Sequence, residues 1–457
     1  MNYNVGKKST PFSIIVFFIL LLTFGCKQVP ENEAASDKYR LIWNSDPTKS
    51  VTLGWDQLQN SDVEVYYGTK DWGRKYWKYK KKVAPTETNK KYEMDTRFAL
   101  LDNLKAGAKY YFVLKDEFGV SKRYWFKSAP AEPSSFSFIV GGDTKSAGSA
   151  LEAGRASNRM VGKLRPLFVM FNGDFTSGSG IDAANWHLWL NDWFEQTTTS
   201  DGRMIPIFPV HGNHENGDKA NLNYIFNSPF HGNDSSSIYY SITIGGNQLH
   251  IMALNSEIET GGEQKAWIEN DLQHNKNCTF KIAGFHKPFR PHTTRKREND
   301  KLYNNWVWLF DKYGLDIGID ADSHMHKITF PVRPDTTSAK AEMGFIRDDT
   351  NGTMYVGEGS WGASPRANDD DKSWTLASAS FNQIKWIHVF PDVENTPAHM
   401  KIYTVITASK VGDEQTLFDA DVEALSEDNL LQIPKNIHLF ENENFGNYVQ
   451  YPYSSKK

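Results

Sequence analysis

With 457 residues, 39% of them hydrophobic, the chain is long enough for two domains with ordinary apolar cores. A net charge of −4 argues against a general nucleic-acid binder, and two cysteines exclude a fold stapled by disulfides. After the first two dozen residues, no apolar run approaches the ~20 residues a helix needs to span a bilayer.

In chain order, Lys7 and Lys8 precede an apolar run from about Phe12 to Phe24. About a dozen residues is too short to span but fits the apolar core of a secretory signal. The run ends Leu22-Thr23-Phe24-Gly25-Cys26, which resembles a bacterial lipobox, where a small residue precedes the lipidated cysteine. Residues 1–26 are therefore expected to be a lipoprotein signal peptide, making the mature protein an exported, membrane-anchored lipoprotein, periplasmic or on the cell surface. Plain cleavage near Gly25 is the alternative. Residues 27–38 are polar and read as a tether. An acylated Cys26 leaves Cys278 without a disulfide partner.

From about Tyr39 to Phe126 the pattern has period two: Tyr39-Leu41-Trp43, Val51-Leu53-Trp55, Val63-Val65-Tyr67 and Tyr110-Phe112-Leu114. Ser45-Asp46-Pro47, Gly54, Gly68 and Gly119 mark turns between strands. The segment Leu101–Phe112 resembles the approach to the penultimate strand of a fibronectin type III domain. A β-sandwich is expected over residues 39–130. Its exposed aromatics suit a glycan less well than a structural core. Ala129–Ser135, with two prolines, reads as a linker.

Strands then alternate with helices. Phe136–Val140 runs into Gly142-Asp143, a helix is expected from about Ser149 to Leu164, and Pro166–Phe171 runs into Gly173-Asp174. Asp182–Glu195 is amphipathic, with Trp186, Leu190, Trp193 and Phe194 as core. Met204–Val210 leads into His211-Gly212-Asn213-His214-Glu215. A hairpin turns at Gly245-Gly246-Asn247, and Gln264–Leu272 is helical. Phe280–Phe285 ends at His286, and Leu315–Ala321 leads into Asp322-Ser323-His324-Met325-His326. In an α/β sheet, groups at C-terminal strand ends converge on one crevice. Carboxylate, amide and imidazole groups suit hard to borderline metal ions, and no thiolate set is present.

This order of motifs resembles the calcineurin-like metallophosphoesterase superfamily in its purple-acid-phosphatase-like branch. The pattern there is Gly-Asp, Gly-Asp, Gly-Asn-His-Asp/Glu, a lone His, then Gly-His-x-His. The resemblance covers roughly Tyr39 to Thr404. It implies an α+β and all-β mixture, an N-terminal sandwich followed by a four-layer αββα metallophosphoesterase domain over residues 131–410, with a C-terminal extension over 411–457. It implies two divalent or trivalent ions (Fe, Zn or Mn). Asp174 would bridge them, Asp143 and His326 would hold the first, and Asn213, His286 and His324 the second. His214 would protonate the leaving oxygen of a phosphate ester, Glu215 would orient His214, and a metal-activated hydroxide would attack.

Two positions depart from the pattern. Lys145 stands where many members have a histidine ligand, and Ser177 where purple acid phosphatases have a tyrosine. The first ion should then bind more weakly. Lys145 is expected to point into the site as a phosphate clamp; a solvated lysine is the plain reading. Lys287, Arg290 and His292 are candidates for a basic rim. Gly357–Gly362 resembles a site-closing loop in which Trp361 contacts substrate or packs. Residues past about Leu425 read as a loosely docked tail. The expected function is phosphate-ester hydrolysis, acid phosphatase-like. The alternatives are a phosphodiesterase of the same fold, or a non-catalytic surface binding lipoprotein with a degraded first metal site.

Overall fold

The computed structural model describes residues 1–3, 6 and 28–453. The apolar N-terminal run and Cys26 lie outside the described residues, and among those described no helix is long and apolar enough to cross a membrane.

The N-terminal part folds as two four-stranded antiparallel sheets. One holds β1 (Ser36–Ile42), β2 (Val51–Gln57), β5 (Glu87–Lys91) and β6 (Met94–Leu101). The other holds β3 (Glu64–Gly68), β4 (Lys81–Val83), β7 (Lys109–Lys115) and β8 (Tyr124–Lys127). Alternate apolar residues fill the space between them: Trp43, Trp55, Val65, Tyr67, Phe112 and Phe126 are buried in one cluster. Each such side chain, once fully buried, contributes about 1.5–3 kcal/mol.

The first sheet does not stop at the expected linker. β1 pairs in parallel with β11 (Ile207–Val210) at Ile42 and Ile207, so the strands run on into a second, mixed sheet. There β9 (Phe136–Gly141), β10 (Val169–Asn172) and β11 are parallel. β21 (Asn382–Phe390), β22 (His399–Val411), β23 (Glu414–Leu417) and β24 (Val449–Tyr451) extend it antiparallel. Past Ile207 the β1 side of β11 carries no further paired residue, which lets Pro209, without an N–H, sit inside a sheet.

α1 (Gly148–Leu164) and α2 (Ala183–Thr197) pack together beside this sheet, burying Met160, Leu164, Trp186, Trp189 and Trp193. Asp182 caps α2 by accepting the Ala184 N–H at 2.9 Å. α3 (Asn221–Phe226) follows the β11 turn. Against the inner face lies a seven-stranded sheet. Its members are β12 (Tyr240–Ile244), β13 (Leu249–Ala253), β14 (Phe280–Gly284), β15 (Ile317–Ile319), β16 (His326–Thr329), β19 (Met354–Gly357) and β20 (Thr375–Ala379). β17 (Val332–Pro334) and β18 (Phe345–Arg347) form a separate hairpin.

α4 (Gly262–His274) and α5 (Asp300–Tyr313) cover the outer face of the seven-stranded sheet. They bury Ile268, Leu272, Trp306 and Phe310 against Phe285 and Tyr355. The result is the expected four-layer αββα arrangement. The expected loose tail is a docked one: β24 pairs with β22, and Ile406 N–H donates to His438 O at 2.9 Å.

Candidate metal centre

The C-terminal ends of β9, β10 and β11 in one sheet meet those of β14, β15 and β19 in the other. Each turn leaves its strand sharply. Asp143, Asp174, Asp322 and His324 all adopt left-handed backbone, with φ of 67°, 57°, 65° and 57°. Such conformations are costly for side-chain-bearing residues and persist where surrounding structure holds them. The surroundings here are tight. A Cβ on Gly359, itself at φ 84°, would stand 1.9 Å from Asp143 Oδ2, and one on Gly212 would stand 2.6 Å from Asp174 Oδ1.

Two groups of ligand atoms result. Asp143, Asp174 and His324 form one; Asp174, His286 and Asp322 form the other. Asp174 belongs to both. His324 Nε2 lies 3.2 Å from Asp143 Oδ1, and His286 Nε2 lies 3.2 Å from Asp174 Oδ1 and 3.6 Å from Asp322 Oδ1. Asn213 Oδ1 approaches the same nitrogen at 3.1 Å. On the ring's other side, Nδ1 donates to Asn172 O at 2.8 Å. That bond leaves Nε2 as the lone-pair nitrogen, facing two carboxylates and an amide oxygen. A lone pair ringed by oxygens requires a cation or a proton among them. Burial alone would depress His286, but Asp174 and Asp322 outweigh it and raise it well above the usual imidazole value. The donor set, buried oxygens with imidazole nitrogens, fits hard to borderline metal ions.

The expected neighbours are present with altered contacts. His214 Nε2 lies 3.2 Å from Lys145 Nζ and 3.5 Å from Asp174 Oδ2, so Lys145 does point into the site. Burial and Lys145 hold His214 below the usual imidazole value, against the pull of Asp174. Glu215 does not touch the His214 ring. Its carboxylate accepts the N–H groups of Asp174, Gly212 and Phe175 at 2.9, 3.0 and 2.9 Å. It therefore braces the Asp174 turn, because three convergent amides attract a carboxylate more strongly than one distant imidazole. Ser177 turns away, accepting the Ser146 N–H at 3.0 Å.

His326 is not with the other ligands. It starts β16, fully buried, its Nδ1 hydrogen-bonded to Lys385 Nζ and its ring against Phe381 and Phe440. His324, expected with the second ion, faces Asp143 instead. Asp322, absent from the sequence-based ligand set, takes the place beside His286. The reason is a two-residue shift of register. Ala321-Asp322-Ser323-His324 carries the small-ligand-x-ligand spacing that Ser323-His324-Met325-His326 also offers. The sequence carries a signal for it: an aspartate directly after the expected strand Leu315–Ala321 and two residues before a histidine.

The surrounding loops are fastened from below. Lys327 Nζ lies 2.7 Å from both Asp320 and Glu358, tying the Asp322 turn to the Gly359 turn. Trp361 is fully buried against Gly141 and donates to Asn158 at 2.9 Å, so it packs and does not face a substrate. Arg290 and His292 are also buried, held by Met343 O and Asp300 and by Thr375 respectively. Lys287, paired with Glu257 at 2.7 Å, remains at the rim. With Pro288, Lys296, Arg297 and Asn299 it lines an open cleft of about 300 Å³ that reaches Asp322.

The four-layer αββα fold is that of the metallophosphoesterases, and its strand ends gather two groups of residues, sharing Asp174, that could hold metal ions. Residues 138–326 match the family model of calcineurin-like phosphoesterases. Two curated relatives, uncharacterized proteins from two strains of Mycobacterium tuberculosis, are each 24% identical over 243 residues. The match spans 46% of this chain and 44% of theirs, less than half the length of either relative. Among solved structures, a purple acid phosphatase (PPD1) from yellow lupin (Lupinus luteus) seeds aligns with a TM-score of 0.65 at 16% identity, covering 82% of this chain and 72% of that one. PhoD aligns with a TM-score of 0.56 at 11% identity, covering 85% and 90%. At these identities the likeness is one of fold.

Proposed function

We propose that this chain is an exported, lipid-anchored metal-dependent phosphatase that hydrolyses phosphate monoesters. One observation carries the reading: Asp174 is shared by two buried ligand groups, with His286 Nε2 aimed into one of them. Asp143, Asp174 and His324 would hold a first ion, and Asp174, Asn213, His286 and Asp322 a second. Two such ions, of iron, zinc or manganese, supply water at a usable pKa and neutralise charge on the phosphoryl oxygens.

The chain's own residues do the rest. Asp174 Oδ1 accepts the His214 N–H at 2.8 Å, which sets His214 at the open face with about a quarter of its side chain exposed. From there it can hydrogen-bond a phosphoryl oxygen and pass a proton to the leaving oxygen as the ester bond breaks. Lys145, beside it, adds a positive charge for the phosphoryl group. The cleft beside Asp322 sets Lys287, Lys296 and Arg297 against Glu298 and Asp322, a net positive lining that suits an anionic substrate and favours a monoester dianion over a diester.

The first ion has three protein ligands and the second four, so the first should bind more weakly. Metal analysis during chelator titration, with a chromogenic monoester and a diester as substrates, tests the proposal. Two ions lost in sequence, and monoester turnover returning with the second added equivalent, are expected. A chain that takes up no metal, or turns over neither ester when loaded, would refute it.

A further inference from the structure

The sandwich carries a second surface that the hydrolytic reading does not use. Between Lys70 and Lys82 lie seven lysines and arginines, one acid (Asp71) and four aromatics: Trp72, Tyr76, Trp77 and Tyr79. Trp72, Tyr76 and Tyr79 build a small cluster with Tyr66, Tyr111, Val113 and Val120, separate from the main core, and Trp77 packs edge-on against Tyr76 at 5.2 Å. Lys70 and Lys78 stand over the Trp72 ring at 4.3 and 4.8 Å. Trp72, Tyr76 and Trp77 are half-buried, while Lys70, Lys75, Lys78 and Lys80 are exposed. Two nearby acids are engaged, Asp71 with Arg123 at 3.3 Å and Glu64 with Lys82 at 2.7 Å, while Glu31, Glu33 and Glu117 are exposed beside the lysines. Among the described residues, Lys70, Lys75, Lys78 and Lys80 have no acidic partner.

The same face receives the chain's N-terminal segment. Arg74 donates to Asn32 O at 2.6 Å and to Val120 O at 2.7 Å, and Val120 N–H donates to Asn32 O at 3.2 Å. Phe118, 39% exposed, lies next to this junction. From Cys26 to Asn32 an extended chain reaches at most about 20 Å. The apolar run Phe12–Phe24 lies just before that.

We propose that this face docks on the surface of an anionic lipid bilayer. Amphipathic Trp and Tyr rings among lysines suit the headgroup boundary, where rings enter the interface and ammonium groups reach lipid phosphates. Charge complementarity favours a membrane over a soluble polyanion, and so does the short tether that the lipid-anchored reading proposed above would give. The surface also gives the site a fixed bearing relative to the bilayer.

The test uses the chain from Lys27 onward, which keeps every strand and helix described above and has no acyl acceptor. Sedimentation with vesicles of phosphatidylcholine, with or without phosphatidylglycerol, measures binding. Binding to the anionic vesicles alone, weakening as salt rises, is expected. Each surface lysine is worth about fivefold in partition, so the combined K70Q, K75Q, K78Q and K80Q variant should bind about a hundredfold or more weakly. Trp77→Ala should weaken binding while keeping the salt dependence. Both variants should retain the melting temperature and ester turnover of the parent, so failure here leaves the phosphatase reading untouched. Equal binding to neutral and anionic vesicles, an unaffected lysine variant, or binding to a soluble sulfated polysaccharide without vesicle binding would overturn the proposal.

Discussion

At the scale of single residues, the site turns on which member of Asp322-Ser323-His324-Met325-His326 faces the ligand atoms. Asp322→Asn should cost the chain one equivalent of tightly held metal, read by elemental analysis. His326→Gln should leave the metal count at the parent value and lower the melting temperature, because it disturbs a buried contact with Lys385. The opposite pattern would restore the unshifted register. His214→Ala should lower kcat by about 10²–10⁴ with metal retained, the range for losing a positioned proton donor. Lys145→Ala should raise KM for a monoester more than for a diester, since a dianion gains more from the added charge. All the carboxylate, amide and imidazole types in the site were legible from strand-end positions. Their pairing was not: the sequence offers two overlapping x-ligand-x-ligand spacings, and only the left-handed turns at Asp322 and His324 choose between them.

At the scale of elements, α5 shows what period reading can overlook. No helix was expected between His286 and Leu315, yet Leu302, Tyr303, Trp306, Val307 and Phe310 fall on one face, and Asn299 caps the helix by accepting the Leu302 N–H at 3.1 Å. The preceding Arg295–Asp300 run, with its six consecutive polar residues, hides the start of the apolar face. Asn299→Ala should cost about 1 kcal/mol and Trp306→Ala about 3–5 kcal/mol in urea unfolding, with no change in metal content. The strand ends at Asp143, Asp174 and His286 were easier to read, because buried parallel strands are continuous apolar runs that stop abruptly at polar turns.

At the scale of the whole molecule, a charged clamp joins the sandwich, the αββα layers and the C-terminal segment. Glu427 pairs with Arg165 at 2.9 Å, Arg203 at 2.8 Å and Lys109 at 3.5 Å, and Asp201 pairs with Arg165 at 3.0 Å. Burial pushes both acids up, but the arginines outweigh it. Asp201 falls to about 2, and Glu427 lies below the usual carboxylate value. A carboxylate whose folded pKa is lowered stabilises the fold above its unfolded pKa of ~4, and that contribution disappears as pH falls through the folded value. The metal-free chain should therefore lose stability between about pH 4 and pH 2. Glu427→Gln should flatten part of that slope, measured as the urea midpoint against pH. Asp201 is half exposed, so its share is small. The same clamp explains why the tail, polar in sequence, is docked: its charges are satisfied by residues more than two hundred positions away.

The amino-acid sequence alone determined the alternation of strands and helices, the sandwich ahead of them, the residue types at each strand end and their order, because these follow from local period and turn chemistry. The tertiary structure decided which ligand faces which, that His326 packs in the interior, and that Glu215 braces a backbone turn. It also decided that β1 and the C-terminal strands join the central sheet. Those outcomes depend on distances of a few ångströms between segments far apart in the chain, and no local pattern encodes them.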